Sequence, residues 1–254
     1  MVHEVAASGF ADAADYEAAR PSYPDDAVAW FVERLDIRPG RRVCDLAAGT
    51  GKLTRLLVPT GAEFVAVEPV AGMREILRAR VPQVPVVAAT AEALPFAPSS
   101  LDAVVVAQAW HWFDHEVAVK QLREALRIGG RLGLVWNARD RSEPWVDAVW
   151  SVMDRVEKRA PWRDHENWRD SAFREMSGFG PLERAEFFHR QSITPDGILR
   201  RIASVSHVAV LPRAQRDAVF DEVRSIIAGD PTARGRDALE IPYRVDCLCV
   251  ERVS

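Results

Sequence analysis

The stretch VCDLAAGTGKL, residues 43–53, decides the fold. It begins as an apolar run of strand length, passes through two glycines, and enters a helical pattern at 51–58. A strand that turns on glycines into a helix opens an α/β unit, and in such units the turn lets a ligand approach the backbone. Two common ligands fit poorly. The dinucleotide fingerprint G-x-G-x-x-G lacks its third glycine in Gly49-Thr50-Gly51-Lys52-Leu53-Thr54. A phosphate-cradling loop needs Ser or Thr after Gly-Lys, and Leu53 stands there.

Outward from this turn, short apolar runs alternate with helical patterns. A helix over 25–36 carries Val28, Phe31, Val32 and Leu35 on one face and stops at Arg38-Pro39-Gly40. The core, 40–137, reads as strands at 42–46, 63–67, 85–88, 102–107 and 131–136, with helices at 51–58, 71–80 and 115–127. Near-continuous apolar strands separated by helices predict a doubly wound, mostly parallel, Rossmann-like sheet covered on both faces. Residues 141–175 are polar and tryptophan-bearing and read as a helical cap insertion. The stretch 182–254 then supplies a strand at 182–191, helices near 196–204 and 212–228, and a closing strand at 243–251 directly after Pro242. With no glycine hairpin between the two late strands, the sheet is expected to finish with an antiparallel edge. The whole chain reads as one domain.

A length of 254 residues can bury a substantial core, and 48% hydrophobic with 28% charged residues is an ordinary globular balance. A net charge of −4 argues against a surface built to neutralise nucleic-acid phosphates. The three cysteines, Cys44, Cys247 and Cys249, sit in apolar strand-like runs and read as buried thiols rather than nucleophiles. No Cys/His grouping has metal-ligand spacing, so no metal is expected. The first residues lack a secretory pattern, and no apolar run reaches the ~20 residues of a membrane span, so a cytoplasmic protein without a membrane partner is expected.

The second strand ends at Glu68, where an acidic side chain can accept hydrogen bonds from both hydroxyls of an adenosine ribose. With the glycine turn, this makes a nucleoside ligand the leading reading. The segments VCDLAAGTGKLTRLL, VAVEPVAGM, ATAEALPF, LDAVVVAQAWHWFD and EALRIGGRLGLVWN follow in that order. Together they resemble the successive motifs of class I S-adenosylmethionine-dependent methyltransferases, more narrowly the small-molecule subgroup related to trans-aconitate methyltransferase (methyltransferase type 11). YEAARPSYP near the start and EIPYRVDCLCVER near the end are similar to that subgroup as well, so the resemblance covers nearly the whole chain.

The resemblance implies S-adenosyl-L-methionine as cofactor, with Asp45, Ala47, Gly49 and Gly51 lining its methionine part. It implies Glu68 on the ribose, Pro69 or Met73 against the adenine, Ala91 and Glu92 beside the adenine edge, and Gln108 close to the sulfonium. It also implies that the N-terminal segment, 1–24, closes as a lid carrying Tyr16, Arg20 and Tyr23, with Arg20 available for the methionine carboxylate. Ala47 stands where the family often has glycine, which costs little if its φ is negative. Thr90 stands where many relatives carry an aspartate for the adenine amine.

The implied reaction is methyl transfer to a small-molecule acceptor by in-line displacement, with O-methylation of a carboxylate or hydroxyl favoured over S or N. His111, in QAWHWFD after the fourth core strand, is the candidate catalytic base, or else a residue that shapes the pocket by hydrogen bonding within its loop. Trp110 and Trp112 are two positions apart and would face the same way in an extended segment. With Trp136 and Tyr23 they are expected to wall the acceptor pocket. Arg200, Arg201 and His207, in the late helical region, could orient an anionic acceptor, with surface roles the leading reading. Two alternatives stay open: a methyltransferase for a macromolecule, disfavoured by the acidic charge and by QAWHW where an Asn/Asp-Pro-Pro-aromatic motif would stand, and a non-catalytic S-adenosylmethionine- or NAD-binding protein. Oligomeric state is not legible.

Overall fold

The computed structural model describes residues 20–157 and 176–254. Tyr16, Trp162 and Trp168 therefore lie outside the described residues, as do most of the lid segment and the second half of the cap insertion.

Helix α1 (Asp25–Arg34) leads into β1 (Arg42–Leu46), α2 (Lys52–Leu57), β2 (Glu63–Val67), α3 (Ala71–Arg80) and β3 (Val86–Val87). Then come β4 (Leu101–Ala107), α4 (His115–Ala125), β5 (Leu126–Arg139) and α5 (Pro144–Glu157). The last part holds β6 (Glu183–Ile193), α6 (Pro195–Ala203), α7 (Ser206–Ala209), α8 (Arg213–Gly229) and β7 (Leu239–Glu251). The strands form one seven-stranded sheet in the order β3-β2-β1-β4-β5-β7-β6. Pairs among the first five are parallel, while β7 runs antiparallel to both β5 and β6. The sheet thus carries its antiparallel pairing at one end, with β7 inserted between its neighbours.

Strand order reverses between β1 and β4, so the crevice at their carboxyl ends is where this topology places a ligand. Side chains alternate across the sheet as the pleat requires. Val43, Ala103, Val105 and Val135 join Phe31, Leu35, Leu53 and Leu77 on the face of α1–α3. Cys44, Leu46, Val104, Val106 and Leu134 join Ala118 and Leu122 of α4 on the other. A third apolar cluster unites Trp145, Val149 and Trp150 of α5 with Ile198, Ile202, Val223 and Tyr243, so the cap helices share one interior with the ends of β6 and β7.

Two strands are longer than their apolar runs. β5 starts at Leu126, inside the stretch 115–127 that reads as helix, because Arg127–Gly130 is an irregular strand start; Gly129 has φ 75° and the register shifts where Leu101 and Ala103 pair. β7 starts at Leu239 and carries Pro242 within it. Pro242 pairs with Arg190 of β6, and its carbonyl accepts from Asp140, just past the end of β5, so its missing N–H falls where that ladder stops. All three cysteines are buried, and burial pushes the thiols of Cys247 and Cys249 up to about 12, which fits packing groups rather than nucleophiles.

Candidate active site

The loop after β1 takes up an unusual backbone. Ala47, Gly49 and Gly51 have φ of 56°, 58° and 80°. Ala47 thus adopts the left-handed region rather than the negative φ that would make it inexpensive, at a cost of roughly 1–2 kcal/mol relative to glycine. A Cβ on Gly51 would stand 3.0 Å from Leu77 Cγ and 3.2 Å from Val81 Cγ2, so glycine lets α2 begin hard against α3. A Cβ on Gly49 would meet nothing within 4 Å; it faces open space above the turn. That opening is a cradle for a ligand against the main chain.

Two buried acids underlie the cradle. Glu68, 5% exposed, accepts from the Gly49 N–H at 2.9 Å and the Val70 N–H at 2.7 Å, so one carboxylate fixes both the glycine turn and the end of β2. Burial raises its pKa, and the two amide bonds work against that rise. Asp45 is fully buried; Oδ2 accepts from Thr54 Oγ1 at 2.6 Å, while Oδ1 has no partner among the described residues. Burial pushes Asp45 up to about 7, the Thr54 bond opposes the rise, and the charge of Glu68 adds to it.

Above the turn an inner cavity is lined by Arg20, Tyr23, Gly49, Gln108, Asn137 and Arg201, with Ala47, Thr50 and Lys52 beside them. The strap at 20–24 crosses it. Arg20 donates to the carbonyl of Ser204 at the end of α6 (3.0 Å), Lys52 donates to the carbonyl of Arg20 (2.9 Å), and Asn137 donates to the carbonyl of Ser22 (3.1 Å). Gln108, at the end of β4, has φ 60°, and its Nε2 is buried with no partner among the described residues.

Gln108 and Asn137 also line an outer groove of about 780 Å³ with His111, Trp136, Arg139, Trp150 and Phe188. This volume falls in the range of small-molecule sites. Arg139 stacks over the Trp150 ring at 4.7 Å, a cation–π contact on the groove wall.

The structure therefore gathers Arg20, Tyr23, Ala47, Gly49 and Gln108 around one cavity and His111 and Trp136 around the adjoining groove. Pro69, Met73, Ala91 and Glu92 lie to the β2/β3 side of Glu68 and line neither. There Met73 and Ala91 are buried, the Pro69 carbonyl accepts from Arg74 at 2.6 Å, and Glu92 accepts from the Asp114 N–H at 3.0 Å.

Two expectations are corrected. Residues 110–112 form a single 3-10 turn, not an extended segment, and three residues per turn separate alternate side chains by about 240°. Trp110 is consequently fully buried, stacked on His115 (centroids 5.2 Å apart) and edge-on to Phe113, while Trp112 packs on the α4 face; neither lines the groove, and Trp150 takes that place. Arg201 is not a surface residue but 4% exposed. The signal was present in the sequence: Gly197, Ile198, Arg201 and Ile202 fall on one helical stripe, which α6 buries. Arg200 is exposed as read, and His207 is partly buried, with burial and the charges of Arg139 and Arg20 pushing it down to about 4. Thr54, Lys52 and Asn137 had no local signal, since each matters only through partners brought in by the fold.

A doubly wound sheet of this strand order, with a glycine cradle at its switch point and an acid ending β2, defines a class I methyltransferase. The comparisons agree. Residues 44–134 match the methyltransferase domain family. An uncharacterized methyltransferase of Mycobacterium tuberculosis H37Rv is 38% identical over 92% of this chain and 90% of its own length. An uncharacterized methyltransferase-like protein of Schizosaccharomyces pombe is 33% identical over 95% and 94%. Among solved structures, a protein of Anaeromyxobacter dehalogenans assigned as a type II methyltransferase superposes with TM-score 0.67 at 22% identity, over 92% of this chain and 98% of that one. A Haemonchus contortus phospholethanolamine N-methyltransferase solved with S-adenosylhomocysteine gives TM-score 0.57 at 18% identity, over 95% and 57%. The chain belongs to the class I S-adenosylmethionine-dependent methyltransferases.

Proposed function

We propose that this enzyme uses S-adenosylmethionine to methylate a small molecule, with an oxygen of a carboxylate or hydroxyl as the favoured acceptor atom. The observation that carries this reading is the pair of adjoining spaces that meet at Gln108 and Asn137, one over the glycine cradle and one lined by charged side chains together with Trp136, Trp150 and Phe188. The residues present fit the cofactor. Gly49 leaves room at the backbone, Glu68 has lone pairs beyond those its two amides use, and Asp45 Oδ1 and Gln108 Nε2 are buried polar atoms without partners among the described residues.

When bound, S-adenosylmethionine supplies a methyl group already activated on a sulfonium. Glu68 would hold the ribose, Asp45 and the glycine turn the methionine end, with Arg20 near its carboxylate. The remaining work of the chain is to orient the acceptor and exclude water, and such positioning lowers barriers by roughly 7–11 kcal/mol. The strap at 20–24, pinned to α2, β5 and the end of α6, contributes Arg20, Pro21 and Tyr23 to the inner cavity's lining. The groove carries Asp140 and Glu186 beside Arg139, Arg141 and Arg244, a mixed-charge lining that suits a small polar molecule better than a polyanionic backbone.

His111 lines the groove, where it can take the proton of a hydroxyl acceptor; a carboxylate acceptor needs no base at neutral pH. The test is methyl transfer from labelled S-adenosylmethionine into a fractionated metabolite extract, with wild type, Glu68→Ala and His111→Ala in parallel. Wild type labels a low-molecular-weight product and Glu68→Ala does not. His111→Ala then reads the acceptor, since a hydroxyl loses about 10²–10⁴-fold in rate and a carboxylate keeps its rate. Label appearing only in macromolecules would contradict the proposal.

A further inference from the structure

Resting on that reading, we propose that Arg201 recognises the acceptor: its guanidinium binds a carboxylate or phosphate group of the molecule that receives the methyl. Arg201 sits in the last turn of α6 and is 4% exposed. Its Nε and Nη1 are buried without a hydrogen-bond partner among the described residues. A guanidinium does not shed its proton, so it cannot escape burial by becoming neutral. An unpaired buried charge costs several kcal/mol, and a folded protein keeps one where something arrives to pair with it.

The position of this charge points to what arrives. Arg201 lines the inner cavity together with Gln108, whose Nε2 is a second buried donor without a partner among the described residues. Gln108, with Asn137, also borders the outer groove through which an acceptor would enter, while Arg201 lines the inner cavity behind them. Arg20 and Lys52 also line the cavity, and each donates to a backbone carbonyl, whereas Arg201 has both Nε and Nη1 unpaired among the described residues. A planar carboxylate or a phosphate on the acceptor matches the paired N–H groups of that guanidinium.

The experiment uses the whole chain. S-Adenosylhomocysteine affinity is measured by calorimetry for wild type, Arg201→Met and Arg201→Lys. Thermal stability is then followed with saturating S-adenosylhomocysteine and a panel of succinate, benzoate and inorganic phosphate, against succinamide and benzamide. Arg201→Met is expected to raise the melting temperature of the free protein, because an apolar chain of similar length replaces an unpaired charge. It is expected to bind S-adenosylhomocysteine within about threefold of wild type. At least one anion of the panel stabilises wild type, does not stabilise Arg201→Met, and stabilises Arg201→Lys less than wild type. A loss of S-adenosylhomocysteine affinity of about tenfold or more in Arg201→Met would put the guanidinium on the cofactor's own carboxylate and overturn the proposal. It is equally overturned if no anion of the panel stabilises wild type, if the neutral amides protect as well as the acids, or if Arg201→Met melts below wild type. Failure of wild type to bind S-adenosylhomocysteine would instead bring down the reading on which the proposal rests.

Discussion

Asp45 is a carboxyl held in a place that resists its charge. Burial raises its pKa to about 7, and the neighbouring charge of Glu68 adds to the rise. For an acid whose folded pKa lies above the unfolded value, stability is fully present below the unfolded pKa of 3.8 and is lost as pH rises through about 7. Asp45→Asn, which cannot ionise, is therefore predicted to show a smaller fall in melting temperature than wild type between pH 5 and about 8. A parallel decline in both proteins would contradict this. Ala47 is strained in a different way, by a backbone that glycine adopts freely. Ala47→Gly recovers roughly 1–2 kcal/mol of strain and gives back ~0.4–1 in unfolded-chain entropy. The expected net gain is about 0–1.6 kcal/mol, or up to ~6 °C in thermal unfolding. The converse change, Gly49→Ala, puts a Cβ at φ 58° and is predicted to lower both stability and cofactor affinity, read by melting and by calorimetry. The glycines of this turn were legible because their chemistry is local. The left-handed Ala47 was not, since nothing in its own sequence forbids a negative φ.

At the scale of elements, β1, β2 and α3 fall where the sequence puts them, because each is a short run whose pattern is bounded by glycine or proline. The exceptions have physical causes. Gly129 and Gly130 fall between the helix and the strand read from the sequence, yet the chain uses them to start β5 irregularly; a Cβ on Gly130 would lie 2.8 Å from the Arg127 carbonyl. The Trp-His-Trp segment reads as extended from residue types alone, but Asp114 caps α4 by accepting from Val117, and the tight turn before it buries Trp110. The junction of α2 with α3 depends on Gly51. Gly51→Val forces branched carbons into Leu77 and Val81 at a left-handed φ of 80°. It is predicted to destabilise by about 2–3 kcal/mol and to weaken cofactor binding through the displaced turn. Denaturant unfolding and calorimetry measure the two effects, and unchanged cofactor affinity would mean that the turn is not part of the site.

Over the whole molecule, the sheet was legible because apolar strands and amphipathic helices alternate strictly through residues 40–137. The residues of the proposed donor half stood out for the same reason, since Asp45, Gly49, Glu68 and Gln108 each end or follow a strand. The proposed acceptor half would draw on Asn137, Trp150 and Arg201, from β5, α5 and α6, and no spacing in the sequence announces that these lie around adjoining spaces. No helix among the described residues is long and apolar enough to cross a membrane, and no acidic, histidine or cysteine group there is arranged to hold a metal ion. What the fold does bring together is the glycine turn and the Glu68 carboxylate at the carboxyl ends of β1 and β2, the proposed cradle for a nucleoside. Its direct measurement is calorimetric titration of wild type and Glu68→Ala with S-adenosylhomocysteine and, separately, with NADH. Wild type is predicted to bind S-adenosylhomocysteine and not NADH. Glu68→Ala, checked for folding by its melting curve, is predicted to bind S-adenosylhomocysteine at least about tenfold more weakly, the loss of hydrogen bonds worth ~1.5–3 kcal/mol each to a charged group. Preference for NADH, or equal S-adenosylhomocysteine affinity in a folded Glu68→Ala, would contradict the assignment of this cradle.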